Sequence, residues 1–258
     1  MGIGPPAVYR GRVDSIEINR RIPFVSTFNF RDVGGYRVPD GRQVRTGRLF
    51  RSDSLHRIDD HDRDTFAALG VRTVIDLRRP YEVERDGRVP DFDGLTYRHI
   101  HPEHAEWGER PYQPGDDLAR YLADRYADLA RTGTAGLAEA IGLIADEANA
   151  PVVVHCVAGK DRTGIVCGLT LAVLGVDDSE IAANYALSTE ASQRFAAWAA
   201  ATFPDAAEIP SPFLSSPAET MLLFLAEIRA AHGSVDNYLR GAGVTDDQLT
   251  ALRTHLLD

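Results

Sequence analysis

The chain has 258 residues, 44% of them hydrophobic and 26% charged, an ordinary globular composition with core enough for one large domain, residues 1–258. Its net charge of −10 argues against nonspecific nucleic-acid binding and requires any anion site to gather its own cations. No apolar run is long enough to span a bilayer, and residues 1–10 lack the charged and apolar parts of a signal peptide. The expectation is a cytoplasmic protein without stable membrane insertion, export by another route leaving no mark in a sequence.

Residues 1–10 read as a loose tail and residues 11–30 as strand-like, with Val13, Ile16, Ile18, Phe24, Val25, Phe28 and Phe30 as the apolar positions. In residues 29–35, paired glycines beside Arg31 and Asp32 predict a tight turn locked by an ion pair. Residues 36–44 alternate around Asp40-Gly41 and predict a hairpin. Arg48 and Arg51 flank an apolar pair and read either as substrate-facing or, more simply, as surface or ion-paired arginines. Residues 59–69 predict a helix stopped at Gly70, and residues 71–77 a buried strand. A helix between apolar strands implies crossovers in a parallel sheet, so the predicted class is α/β, a central, largely parallel sheet flanked by helices. Asp76 lies near the C-terminal end of its strand, where such sheets place their sites. It reads equally well as the partner of Arg78 or Arg79.

Residues 96–100 form a short predicted strand that runs into His99, His101 and His104. That spacing suits zinc, but no further ligand set is evident beside Pro102. Solvated or hydrogen-bonded histidines are the preferred reading, with no metal and no cofactor expected. Residues 107–115 read as a loop, with Trp107 a candidate aromatic wall. Residues 116–131 and 135–149 carry helical periodicity through Leu118, Tyr121, Leu122, Tyr126 and Leu129, then Leu137, Ile141 and Ile144.

The most informative stretch follows. Val152, Val153, Val154 and His155 form an apolar run into Cys156. The loop Val157-Ala158-Gly159-Lys160-Asp161-Arg162 then leads into a helical run from Thr163 and Gly164 to Leu174, closed by Gly175. A tight strand-to-helix loop turns successive backbone N–H groups inward, and the helix N-terminus adds positive partial charge, so an oxyanion is favoured there. The same field favours a thiolate. After one wrap, Arg162 returns to the mouth of the loop with a planar fork for two oxygens. His155 and Thr163 support the loop, the Thr163 hydroxyl as a donor to the cysteine sulfur. A nucleophile beneath a bound phosphorus, ringed by donors, is an arrangement for phosphoryl transfer to sulfur.

After the loop helix, Asp177 caps a further helix through residue 187. Residues 190–232 are Ala-rich, broken by Pro204, Pro210, Pro212 and Pro217, and residues 233–258 end in a helix over 246–257.

The string from His155 to Gly164 resembles the signature loop, Cys-x5-Arg-Ser/Thr, of the protein tyrosine phosphatase superfamily, and in full that of the bacterial low-specificity tyrosine phosphatases. Residues 29–35, 47–55, the strand ending at Asp76 and the tail around Tyr238 extend the likeness over most of the chain. The resemblance implies a cysteine-dependent phosphatase acting on phosphotyrosine, and in wider members on phosphoserine, phosphothreonine or phosphoinositides. Its partners would be a phosphorylated protein or phosphoinositide and inorganic phosphate. It implies Cys156 as nucleophile, forming a thiophosphoryl intermediate, and Arg162 with the loop N–H groups as phosphate holders. Lys160 is a second cation of the kind found in inositide phosphatases. The general acid is Asp161 by preference, with Asp76 next. In some relatives the region equivalent to residues 190–232 forms a helical lid; a C-terminal packing layer is the equal alternative. Three other functions share parts of this pattern. A Walker-type nucleotide loop fails on spacing, because Val154 stands where its first glycine belongs and Asp161 where Ser or Thr belongs. A rhodanese-like sulfurtransferase needs no Arg162-Thr163 at this spacing. A non-catalytic phosphate-binding module leaves Cys156 unexplained. Cys167 reads as core, a disulfide with Cys156 under oxidation being the lesser reading.

Overall fold

The computed structural model describes residues 20–106, 109–202 and 211–258. The expectations for Val13, Ile16, Ile18, Trp107, Pro204 and Pro210 lie outside the described residues. Five strands, β1 (Arg31–Asp32), β2 (Leu49–Ser52), β3 (Thr73–Asp76), β4 (Thr96–His99) and β5 (Val152–His155), form one sheet in the order β1-β2-β5-β3-β4. All pairings are parallel except that of β1 with β2. This agrees with the predicted class. The run 152–155 occupies the middle of the sheet between β2 and β3, all three strands being buried on both faces.

Alternation along the strands divides the interior in two. Leu49, Ile75, Val152 and Val154 face the larger core with α3 (Leu118–Thr132), α4 (Thr134–Ala145), α5 (Asp161–Leu174), α6 (Asp178–Ala186), α8 (Ala218–His232), α9 (Val235–Ala242) and α10 (Asp246–Leu256). Phe50, Val74 and Val153 face a smaller core closed by Phe24, Phe30, Leu55 and Phe66, the last from α1 (Asp60–Ala68). The region 190–232 divides between two roles. Met221, Phe224 and Leu225 of α8 are fully buried in the larger core, whereas α7 (Ser188–Thr202) buries only Ser188, Ala191 and Ser192.

Three local expectations need correction. Residues 20–30 form no strand; an isolated bridge joins Arg21 to Arg31. Arg31 and Asp32 do not pair with each other. Side chains on neighbouring strand positions point to opposite faces, so Arg31 turns to Asn29, Asn184 and Ser188, while Asp32 accepts the N–H groups of Gly34 and Gly47 at 2.7 and 2.6 Å. A short helix, α2 (Pro80–Asp86), adds an element to those the sequence pattern predicts. The hairpin at Asp40-Gly41 does form, with the Gly41 N–H bonded to the Val38 carbonyl.

Candidate active site

Parallel register aligns Ser52, His155, Asp76 and His99 in one row at the C-terminal edge of the sheet. Cys156 stands one residue past that row on the middle strand and is 2% exposed. The chain then turns through Val157, Ala158, Gly159 and Lys160 into α5, whose first residue is Asp161.

What shapes this loop is the capture of its carbonyls from outside. Ser54 Oγ donates to the Cys156 carbonyl at 3.2 Å, and the Ser54 N–H to that of Val157 at 3.0 Å. Asn29 Nδ2 donates to Ala158 O at 2.8 Å, and Arg51 Nη2 to Gly159 O at 2.6 Å. Lys160 O takes the Gly164 N–H at 2.9 Å. A peptide whose carbonyl points outward points its N–H inward. Among the described residues, none accepts a hydrogen bond from the N–H groups of Val157, Ala158, Gly159, Lys160, Asp161 or Arg162. The result is a concave set of donors at a helix N-terminus, suited to an anion. Gly159 makes the wrap possible. It has φ +62°, and a Cβ there would lie 2.2 Å from the Ser52 carbonyl oxygen.

Arg162 is clamped from α2. Its Nη1 donates to Glu82 Oε2 at 2.6 Å and to the Leu77 carbonyl at 3.2 Å, and its Nη2 to Glu82 Oε1 at 3.2 Å. Three of five guanidinium hydrogens are thereby committed, leaving Nε–H and one on Nη2, which share an edge and form a fork. Pro80 at the first helical position and the bond from the Arg79 N–H to Glu82 Oε2 at 2.6 Å fix where that carboxylate sits. Burial disfavours the Arg162 charge, but Cys156 and Glu82 outweigh it and hold the guanidinium above its ordinary value. Glu82 is likewise opposed by burial yet lowered overall, by Arg162 and then by Arg79.

Lys160 is 2% exposed, with Nζ 3.3 Å from the Phe213 carbonyl and 3.9 Å from Asp161 Oδ1. Asp161 is partly exposed, and its Oδ1 accepts the Tyr126 hydroxyl at 2.5 Å. Asp76 is placed differently. It is 0% exposed and takes Arg78 Nε at 2.9 Å, Arg78 Nη2 at 2.6 Å and the Tyr97 hydroxyl at 2.9 Å. Burial raises it, but His155 and Arg78 together hold it well below the usual carboxylate range. His155, fully buried, lies with Nε2 3.5 Å from Asp76 Oδ2 and Nδ1 3.2 Å from the Cys156 carbonyl; burial lowers its pKa. Thr163 is buried in the first turn of α5, but its hydroxyl has no hydrogen-bond partner among the described residues, so the expected bond to sulfur is not made. Cys167 is a free, buried thiol in α5, and burial pushes it up.

The histidines separate. His99 Nε2 contacts the Arg78 carbonyl at 2.8 Å, while His101 and His104 pack with ring centroids 5.8 Å apart beside Arg79. Among the described residues no group of three or more His, Cys, Asp or Glu side chains converges as a metal would need. Arg48 pairs with Glu147 at the surface. Arg51 is neither substrate-facing nor a surface residue: it is 1% exposed behind the loop, holding Gly159 O and Asn184 Oδ1. Glu82, Asn29 and Tyr185 are site residues that the sequence did not reveal as such. For Glu82 the available signal was Pro80 two positions earlier, which marks a helix start.

Comparisons with known proteins point in one direction. A sequence model described as the tyrosine phosphatase family matches residues 22–258. The chain is 32% identical to triple specificity protein phosphatase PtpB of Mycobacterium tuberculosis, across 92% of this chain and 99% of the relative. It is 29% identical to a putative tyrosine-protein phosphatase of Cupriavidus necator, across 94% and 90%. A tyrosine-protein phosphatase of Nostoc commune is 27% identical across 80% and 73%.

Proposed function

The chain belongs to the tyrosine phosphatase family and is a protein-tyrosine phosphatase, and on that premise we propose how its residues divide the work. Cys156 is the nucleophile. The N–H groups of Val157, Ala158, Gly159, Lys160, Asp161 and Arg162 and the open edge of Arg162 hold the three phosphoryl oxygens. The sulfur attacks phosphorus in line, the S–P bond forming as the bond to the tyrosyl oxygen breaks. Asp161 protonates that oxygen as it leaves, and water then hydrolyses the thiophosphoryl intermediate to release inorganic phosphate. The scheme draws on side chains and backbone alone.

The observation that carries this reading is the loop itself, with its carbonyls tied outward and its N–H groups unengaged around Cys156. Asp161 is preferred to Asp76 as the acid on access and charge. Asp76 is sealed from solvent and held anionic by the paired Arg78 guanidinium, so it has no proton to give near neutral pH. We assign it instead to hold the end of β3 and the Arg78 side chain. The preference for phosphotyrosine extends, in this reading, to phosphoserine, phosphothreonine and monophosphorylated inositides; the triple specificity in the name of the mycobacterial relative supports that breadth. A sulfurtransferase or a passive phosphate binder is not favoured by the family. Cys156→Ser is expected to abolish turnover of an aryl phosphate while inorganic phosphate still binds, measured by calorimetry. Appreciable turnover by that variant would remove the thiolate from the mechanism.

A further inference from the structure

We propose that Tyr126 and Tyr185 are positioning residues for proton transfer: a buried pair of hydroxyls that locks the Asp161 carboxyl so that Oδ2 faces the leaving group. The inference rests on Asp161 being the general acid and adds how it is held.

Asp161 opens α5. A carboxyl at the head of a helix, partly open to solvent, can rotate about χ2 and exchange its two oxygens. Here the exchange is blocked. Tyr126, from the middle of α3, is 0% exposed and donates to Oδ1 at 2.5 Å. Lys160 Nζ approaches the same oxygen, at 3.9 Å. Among the described residues, none hydrogen-bonds to Oδ2. The two oxygens are therefore unequal: one is fixed inward, the other is left for chemistry.

The second tyrosine sets the polarity of the first. Tyr126 has one hydrogen, and an ionised Asp161 accepts only, so that hydrogen goes to Oδ1. The Tyr126 oxygen then accepts from Tyr185, whose hydroxyl lies 2.7 Å away and whose side chain is 1% exposed on α6. Burial raises both phenols far above their ordinary value, so both remain neutral donors at any working pH. Room for Tyr185 comes from the loop motif itself. A Cβ on Gly164 would stand 3.1 Å from the Tyr185 ring, tighter than an ordinary contact.

The energetics follow from when charge appears. Before transfer the proton is on Oδ2, and Tyr126 bonds to a neutral carboxyl. As the P–O bond breaks, its electron pair goes to the leaving oxygen, which takes that proton, and Asp161 becomes a carboxylate. The bond from Tyr126 then becomes charge-assisted and strengthens, so it lowers the barrier and not merely the ground state.

The test is the dependence of kcat/KM on leaving group, measured on p-nitrophenyl phosphate, which needs little protonation, and phenyl phosphate, which needs much. Asp161→Asn is expected to slow phenyl phosphate far more than p-nitrophenyl phosphate. Tyr126→Phe, which keeps the ring, is expected to slow phenyl phosphate by on the order of tenfold and leave p-nitrophenyl phosphate within about twofold. In the Asp161→Asn background it should cost nothing further. Tyr185→Phe should act in the same direction more weakly, and it carries the same test if Tyr126→Phe does not fold. Equal loss on both substrates, or the same loss repeated in the Asp161→Asn background, would overturn the positioning role while leaving the acid in place. Failure of Asp161→Asn itself to discriminate would overturn the acid and the pair together.

Discussion

At Gly159 two demands meet, a left-handed backbone and contact with the end of β2, and only a residue without a Cβ satisfies both. A methyl group there would meet backbone, the Ser52 carbonyl at 2.2 Å, which no rotamer change relieves. Gly159→Ala is expected to destabilise the fold by about 2–3 kcal/mol and to abolish phosphate binding, read by denaturant melts and calorimetry. Wild-type affinity for phosphate in that variant would mean the loop does not need this wrap. Glu82 raises a different demand, for direction in place of space. It commits one end of Arg162 and thereby aims the other. Glu82→Gln keeps the shape but halves the clamp. It is expected to lower kcat/KM by about tenfold on good and poor leaving groups alike, because the arginine holds phosphate and not the departing proton. A loss confined to poor leaving groups would place Glu82 in proton transfer instead.

Elements contribute through their ends. Around the edge of β3 and β4 and the start of α2, the pKa values of His56 and His101 are both lowered from 6.5 to about 4, by burial first, then by Arg57 and Arg78 at His56 and by Arg79, His104 and Arg162 at His101. The unfolded chain binds protons at these histidines below about 6.5, the folded one only near 4. Stability is therefore greatest above about 6.5 and falls as the pH drops through that window. Glu82, lowered from 4.5, adds a further loss once the pH falls below its unfolded value. The melting temperature should decline steadily from pH 7 to pH 4, and His101→Gln should flatten part of the slope between about 6.5 and 4 without changing the profile below it. An unaltered slope in that variant would assign the decline to other groups.

At the scale of the whole molecule, the described C-terminal residues supply a core layer and a turn that reaches the loop. Residues 218–232 are committed to the larger core. The 3-10 turn Ser211–Leu214 instead reaches the loop, where the Phe213 carbonyl holds Lys160. We propose that this turn moves as a lid does when the loop is occupied. A bound phosphate dianion would compete with the Phe213 carbonyl for the Lys160 ammonium, since an anionic acceptor attracts a cation more strongly than a neutral carbonyl does. Saturation with vanadate is expected to change amide exchange at residues 213–216 while exchange along 218–232 stays constant. Identical exchange in both states would make the region a packing layer only.

The sequence by itself determined the sheet class, the central strand, the loop with Cys156 and Arg162, and most helices, because each depends on residues close in the chain: an apolar run, a period of 3.6, a cap, a spacing of five. Even the turn at Asp40-Gly41 is local chemistry. Only the tertiary structure decided what surrounds the loop. Arg51 and Asn29 come from more than 100 residues upstream to hold two of its carbonyls. Glu82 reaches Arg162 across 80 residues, and Tyr126 and Tyr185 meet over Asp161 from two different helices. None of these pairings leaves a periodicity or a spacing to read. They are set by sheet order and helix packing, which bring buried polar groups together because each must find a partner once it is removed from water. Arg51 could be read as substrate-facing, surface or ion-paired because its sequence neighbours say nothing about who else is buried beside it.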